Sequence, residues 1–225
     1  MSGPVVLVTQ YGAEEIAIEP AQVLRYLGMG GRQPDQQTSR MIEDCIGEFQ
    51  KAAAYKVCWL TAEITVQQDG VDFGVFYAPG QSIVRSLKDC RRAIVFAATT
   101  GLQAEQQMKR QWVVSKAKAV VLDAVGTAAA EALCDRFCSD RQAELVEQRL
   151  RPRFSPGYGD LPLQLQKELL NCLDSHRKIG LFLSEGLLMT PQKSVSAIMG
   201  IGGQGCDALR HDCQNCEKRD CLFRL

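Results

Sequence analysis

The chain has 225 residues and ten cysteines, is 46% hydrophobic and 23% charged, and balances 26 Lys and Arg with 26 Asp and Glu. That suits one globular domain, or two small ones, with enough length to bury a core. Zero net charge argues against nucleic acid or an anionic membrane as partner, since both select a basic excess or a basic face.

At the N-terminus, Met1-Ser2-Gly3-Pro4 and then Val5 to Val8 show no basic region before the apolar stretch, unlike a secretory signal. No apolar run reaches the about 18–20 residues of a membrane span. The expected location is cytoplasmic, where cysteines stay reduced, ligate metals or do redox chemistry rather than build a disulfide framework. Glu19-Pro20 opens a helix through Val23, Leu24 and Leu27 that stops at Gly28-Met29-Gly30-Gly31. Residues 35–54 read as a second helix, with Met41, Ile42, Cys45, Ile46 and Phe49 on one stripe. Then the period changes. Cys58, Leu60, Ala62, Ile64 and Val66 alternate with Trp59, Thr61, Glu63 and Thr65, the mark of a half-buried strand. Asp69-Gly70 makes a turn, and Val71, Phe73, Val75 and Tyr77 alternate again, which predicts a β-hairpin.

Ser82 is placed to cap a short helix reaching Asp89, and Ala93 to Ala97 is a continuous apolar run that suits a strand covered on both faces. Residues 102–150 are mostly helical, with a break near Ser115 or Gly126. Val121, Ala124, Val125, Ala128, Ala132 and Cys138 mark a small-residue stripe there. Three prolines and two glycines make Arg151 to Pro162 a loop. Leu163 to Leu173 is a helix, and Ile179 to Leu183 and Val195 to Ile201 read as strands. Helices and strands mix without strict βαβ alternation, and one hairpin is antiparallel. The expected class is α+β, with helices packed on a mainly antiparallel sheet.

Cys45, Cys58, Cys90, Cys134, Cys138 and Cys172 are scattered through the body and read as small buried hydrophobes. Cys206, Cys213, Cys216 and Cys221 crowd the last twenty residues, with His211 among them. Four thiolates so close suit zinc or an iron–sulfur cluster, although their spacing meets no named signature. A reduced tail without metal is the other reading. Gly200-Ile201-Gly202-Gly203-Gln204-Gly205 satisfies G-x-G-x-x-G, but no βαβ unit can be completed after it, so it reads as a flexible connector. Asp174-Ser175-His176 approaches the D-x-H-x-x-G by which cobalamin modules supply a histidine to cobalt. Ile179 stands where that pattern needs glycine, so His176 and Arg177 read as a solvated helix end suited to the helix dipole.

Arg153-Phe154-Ser155-Pro156-Gly157-Tyr158-Gly159-Asp160 is the most specific local signal. Arginine offers a planar fork for a carboxylate. A Pro-Gly pair lets main-chain groups stand bare beside a ligand, and tyrosine adds an aromatic wall with a polar tip. An ordinary structured turn is the alternative.

This motif, followed by Met189-Thr190-Pro191 and Ser194-Val195-Ser196, resembles the reactivation (activation) domain of cobalamin-dependent methionine synthase, in its short stand-alone form. The similarity runs from about residue 15 to 200. It takes in Arg25-Tyr26-Leu27-Gly28, Val95 to Gly101 and the Ala-rich helix bearing Glu131. The resemblance implies one such domain over residues 1–200, with a bent, mainly antiparallel sheet flanked by helices, and a Gly/Cys-rich tail over 201–225. It implies binding of S-adenosylmethionine through Arg153, Ser155, Gly157 and Tyr158, with Glu131 as an acidic contact. Arg153 would hold the methionine carboxylate, the Ser155 and Gly157 backbone the adenosine, and Glu131 the ammonium or sulfonium end.

The implied partner is a cobalamin-binding methionine synthase or related corrinoid protein, which carries the cobalamin, together with a reductant such as flavodoxin or ferredoxin. In that family, cobalt oxidised to the inactive cobalt(II) state is reduced and then methylated from S-adenosylmethionine. The chain is too short to hold homocysteine, folate and cobalamin modules as well. It is therefore expected to act in trans, as a component of a methyltransferase system rather than a complete enzyme. Two positions depart from the large enzymes: Gly28 stands in place of an early aspartate, and the glycine run and cysteine tail replace a further tyrosine contact. An iron–sulfur electron-transfer or metal-binding module serving another corrinoid protein is the rival function.

Overall fold

The structure is a computed structural model that describes residues 4–31 and 33–203. Strand β1 (Leu7–Tyr11) leads through a short 3-10 turn to helices α1 (Pro20–Tyr26) and α2 (Gln36–Ala52). Proline suits the first turn of α1, where no N–H is needed. Asp35 caps α2 by accepting from the Thr38 N–H at 2.7 Å. Next come β2 (Tyr55–Glu63), the short strands β3 (Thr65–Val66), β4 (Gly70–Asp72) and β5 (Tyr77–Pro79), and α3 (Gln81–Ser86). They are followed by β6 (Arg92–Thr99), α4 (Leu102–Val114), the long α5 (Lys116–Ala143) and β7 (Gln148–Leu150). The last described elements are α6 (Leu165–Cys172), α7 (Ser175–Ile179), β8 (Phe182–Leu183), β9 (Met189–Thr190) and β10 (Ser194–Gly203).

Five strands form a curled antiparallel sheet in the order β1-β2-β6-β10-β7. β6 lies at its centre, buried from Ala93 to Thr99 as its unbroken apolar run predicts. Successive strand side chains face opposite ways. Ile94, Phe96 and Ala98 therefore enter one core, and Ala93, Val95 and Ala97 enter a second. Helices α1, α2, α4 and α5 cover the first face; α3, α6, α7 and the three small strands cover the second. This is the α+β architecture expected. Among the described residues, no helix is long and apolar enough to cross a membrane.

Phe137 of α5 packs 5.0 Å from Phe96 and meets Trp59 edge-on at 5.9 Å. Losing a buried ring of that size costs about 3–5 kcal/mol, so this contact holds α5 firmly on the sheet. Val121, Ala124, Val125 and Ala128 are buried on the predicted stripe, and Ala132 and Cys138 half-buried. The helix break falls at Ser115, whose Oγ accepts from the Lys118 N–H. Gly126 instead lies within α5, where close packing calls for glycine: a Cβ there would come within 3.0 Å of Met108 Sδ and Lys193 Cγ.

The single hairpin expected over 58–77 is divided between two sheets. β2 ends at Glu63 in the main sheet, and only Thr65–Val66 pair with β4 around the predicted turn. Gly74, at positive φ, then inverts the alternation, so Phe76 and Ala78 are buried while Val75 and Tyr77 face solvent. Phe73 and Phe76 stack at 4.6 Å beneath that turn. Ser82 is not the cap of α3; Gly80 takes that position and a distant carboxylate supplies the bonds. Ile179 closes α7 instead of opening a strand, because Gly180 adopts the left-handed conformation that ends the helix. His176 is exposed on α7 and touches Phe182 edge-on. Gly200 to Gly203 are not a connector but the end of β10. A Cβ at Gly200 would come within 2.7 Å of Cys90 Sγ and 2.8 Å of Leu87 Cδ2, so close packing rather than chain freedom calls for glycine there.

Candidate functional site

The loop after β7 runs alongside β10 and is stitched to it. Arg151 N–H donates to the Gly200 carbonyl at 2.8 Å, and Phe154 and Ile198 exchange both backbone hydrogen bonds at 2.9 Å. Neighbouring side chains in an extended stretch point to opposite sides. Phe154 accordingly enters the core under α6, and Arg153 turns toward α5. Glu131 and Asp135, one helical turn apart on α5, meet it there. Arg153 Nη2 donates to Glu131 Oε2 at 3.1 Å and to Asp135 Oδ1 at 2.7 Å. The arginine side chain is 24% exposed, against 45% for Glu131 and 70% for Asp135. A sunken cation thus sits below two carboxylates on the rim.

Cys134 and Cys138 flank this cation from beneath. Burial pushes the Cys134 thiol well up, and that of Cys138 up to about 11. Burial alone would pull the Arg153 cation down. The facing Glu131 and Asp135 carboxylates act the other way, and the cation is held above its ordinary range.

Beside the ion cluster lies a cleft of about 480 Å³ between α1 and α5. Glu131 and Asp135 line it from α5, Arg25 and Tyr26 from α1, and Glu15 and Glu19 from the segment before α1. Burial, reinforced by the Glu131 charge, raises the Tyr26 phenol above its usual range. Arg136 bridges to Asp140 at 3.0 Å and to Glu15 at 3.5 Å, fastening one end of the cleft. A second cavity, of about 450 Å³ between α6, α7 and β8, contains none of the predicted site residues.

Arg153 lies beside the cleft without lining it, and Ser155, Gly157 and Tyr158, which form a turn beyond Arg153, do not line it either. Tyr158 N–H donates to Ser155 C=O at 3.1 Å, and Gly157 N–H to Leu161 C=O at 2.9 Å. Those two N–H groups are committed inside the turn, whereas the sequence suggested bare donors. Gly157 has φ of 91°, the region that favours glycine. The Tyr158 ring is exposed and stands edge-on to Phe154 at 6.3 Å.

The second motif is held by α4 and α5 rather than by this turn. Gln192 N–H donates to the buried Glu105 carboxylate at 2.7 Å, and Lys193 Nζ reaches Thr127 and Asp123, each at 2.8 Å. Ser194 pairs with Thr99 across β10 and β6 at 2.8 Å. Two of the five expected ligand residues, Arg153 and Glu131, are therefore brought into contact. Asp135 is the member that sequence reasoning missed, although its position four residues after Glu131 on a helix was a usable signal.

Of the cysteines, Cys45, Cys58, Cys90 and Cys134 are buried and Cys138 and Cys172 half-buried, all as free thiols. Cys206, Cys213, Cys216 and Cys221 lie outside the described residues. Among the described residues, no group of three or more His, Cys, Asp or Glu side chains stands close enough to hold a metal ion.

No known protein family and no curated protein matches this sequence. Solved structures do match the fold. One is the crystal structure of the MetH reactivation domain bound to AdoHcy, with a TM-score of 0.67 and 14% identity over 87% of this chain and 78% of that one. At that identity, what the two chains share is the helix-flanked curled antiparallel sheet.

Proposed function

We propose that this chain binds S-adenosylmethionine at the Arg153–Glu131 cluster and serves as a stand-alone reactivation partner for a separate cobalamin-dependent methionine synthase. The reading is supported by a fold similar to a reactivation domain bound to AdoHcy, and by the motifs quoted above. The observation that carries it is the meeting of Arg153 with Glu131 at 3.1 Å. The amino-acid end of the ligand presents a carboxylate and an ammonium together, and so needs a cation and an anion side by side. The cluster offers both.

S-adenosylmethionine supplies an electrophilic methyl group on a sulfonium, and the partner's reduced cobalt supplies the nucleophile. Such a displacement needs no general acid or base from this chain, whose task is placement. Arg153 anchors the carboxylate through its planar fork. Glu131 faces the ammonium or sulfonium end, and the exposed turn of Ser155, Gly157 and Tyr158 takes the adenosine side. The binding unit in this reading ends with β10. The reductant is a flavodoxin or ferredoxin.

Calorimetric titration with S-adenosylmethionine tests the binding step, with Arg153→Ala as control. An in-trans assay with a cob(II)alamin-loaded methionine synthase and a reductant tests the rest. Wild type should bind, and should restore turnover only in the presence of S-adenosylmethionine. Absence of binding, even beside the cobalamin protein, overturns the proposal.

A further inference from the structure

Both hydrogens of Arg153 Nη2 are directed at carboxylates of the chain itself, Glu131 Oε2 at 3.1 Å and Asp135 Oδ1 at 2.7 Å. A guanidinium grips a carboxylate at two points in two ways, end-on through Nη1 and Nη2 or side-on through Nε and Nη2. Nη2 is common to both. A ligand carboxylate therefore cannot form a two-point pair with Arg153 until one internal carboxylate withdraws.

Asp135 is the one built to withdraw. Its side chain is 70% exposed against 45% for Glu131, so water takes over its lone pairs at the smaller cost. It also stands one turn farther along α5, at the rim of the cleft. We infer that Asp135 is an internal competitor for the ligand carboxylate. It holds the Arg153 fork in position while the site is free, and swings into solvent when a carboxylate-bearing ligand seats. The inference rests on the reading of Arg153 as the carboxylate anchor, and adds a threshold to that site. Ligands must bring a carboxylate able to replace the Asp135 pair, whereas adenosyl compounds without one have nothing to displace.

The test compares two probes against the full-length chain by calorimetric titration. S-adenosylhomocysteine carries the carboxylate but no sulfonium charge, and 5′-methylthioadenosine lacks the amino-acid end. In Asp135→Asn and Asp135→Ala, S-adenosylhomocysteine should bind about two- to fivefold tighter, the scale of one exposed ion pair. The affinity for 5′-methylthioadenosine should not change. Equal shifts for both probes, or no shift, overturn the inference and leave Arg153 as anchor. Weaker binding of S-adenosylhomocysteine in the variants also overturns it, and makes Asp135 a contact of the ligand ammonium. Failure of wild type and both variants to bind S-adenosylhomocysteine removes the anchor reading itself, and this inference with it.

Discussion

The Asp160 carboxylate accepts a hydrogen bond from the Gln81 N–H at 2.7 Å, 79 residues away in sequence, and another from the Ser82 N–H at 2.9 Å. The last residue of the loop motif thus caps α3 and fastens the loop to the small sheet. Gly159 makes the approach possible, since a Cβ there would lie 2.4 Å from Ser82 Oγ.

The bonds from Ser82 and Gln81 hold the Asp160 carboxyl down to about 2. Its unfolded value is about 3.9, so the folded state favours the ionised form. The contribution is complete above that unfolded value and is lost as pH falls through the window from about 4 to 2. Asp160→Asn should lower Tm at pH 7 by about 2–4 °C and flatten the acid limb of the Tm profile in that window. Superimposable profiles for the two proteins would contradict the capping role.

Arg153→Ala should separate binding from stability. Glu131 and Asp135 lie on the rim, where water can solvate them once the cation is gone. The fold should lose only a few degrees of Tm, mostly from the packed stem of the side chain. Binding of S-adenosylmethionine should fall at least about tenfold, the value of one charge-assisted pair. Arg153→Lys should restore Tm without restoring affinity, because an ammonium cannot offer the two-point fork. Equal losses in Tm and affinity would make Arg153 a structural residue.

Gly200→Ala should destabilise by about 1–3 kcal/mol through overpacking. The new methyl would press on Cys90, Leu87 and, at 3.1 Å, Arg151 Cγ in the middle of the β10–loop junction. Gly203→Ala is the control, since among the described residues nothing lies within 4 Å of a Cβ there. Denaturant midpoints for the pair distinguish close packing from a demand for chain freedom, in which case both would suffer alike.

The body cysteines should be chemically quiet. Burial pushes the Cys45 thiol up to about 11 and those of Cys58 and Cys172 up to about 12. At pH 8 the reactive thiolate fraction of each is then on the order of one in a thousand or less. Native alkylation followed by peptide mass spectrometry should leave these three unmodified until denaturant is added. Rapid native labelling of Cys58 would refute the burial argument.

Hydrophobic period located α2 and β2, an unbroken apolar run located β6, and proline and glycine located the loop at 151–162, because each is a local signal that a single segment carries by itself. The same local pattern misread 71–77, where Gly74 turns the chain and reverses which side chains face inward. It also misread Gly200 to Gly203. Gly200 looks permissive in isolation, yet glycine is required there by Cys90 and Leu87, which arrive from a distant segment.

Arg153 was legible from its planar fork within the 153–160 motif, and Glu131 only through the family resemblance. Their contact was not, nor was the competing claim of Asp135. Phe154 had to be drawn into one core by its bridge to Ile198 before Arg153 could turn to the other side, onto α5. Zero net charge argues against broad partner classes, but tertiary structure placed three of those charges within hydrogen-bonding distance. A periodic pattern records which side of its own element a residue occupies. Which elements then lie side by side is chosen by burial of both sheet faces together, and only that choice assembled the site.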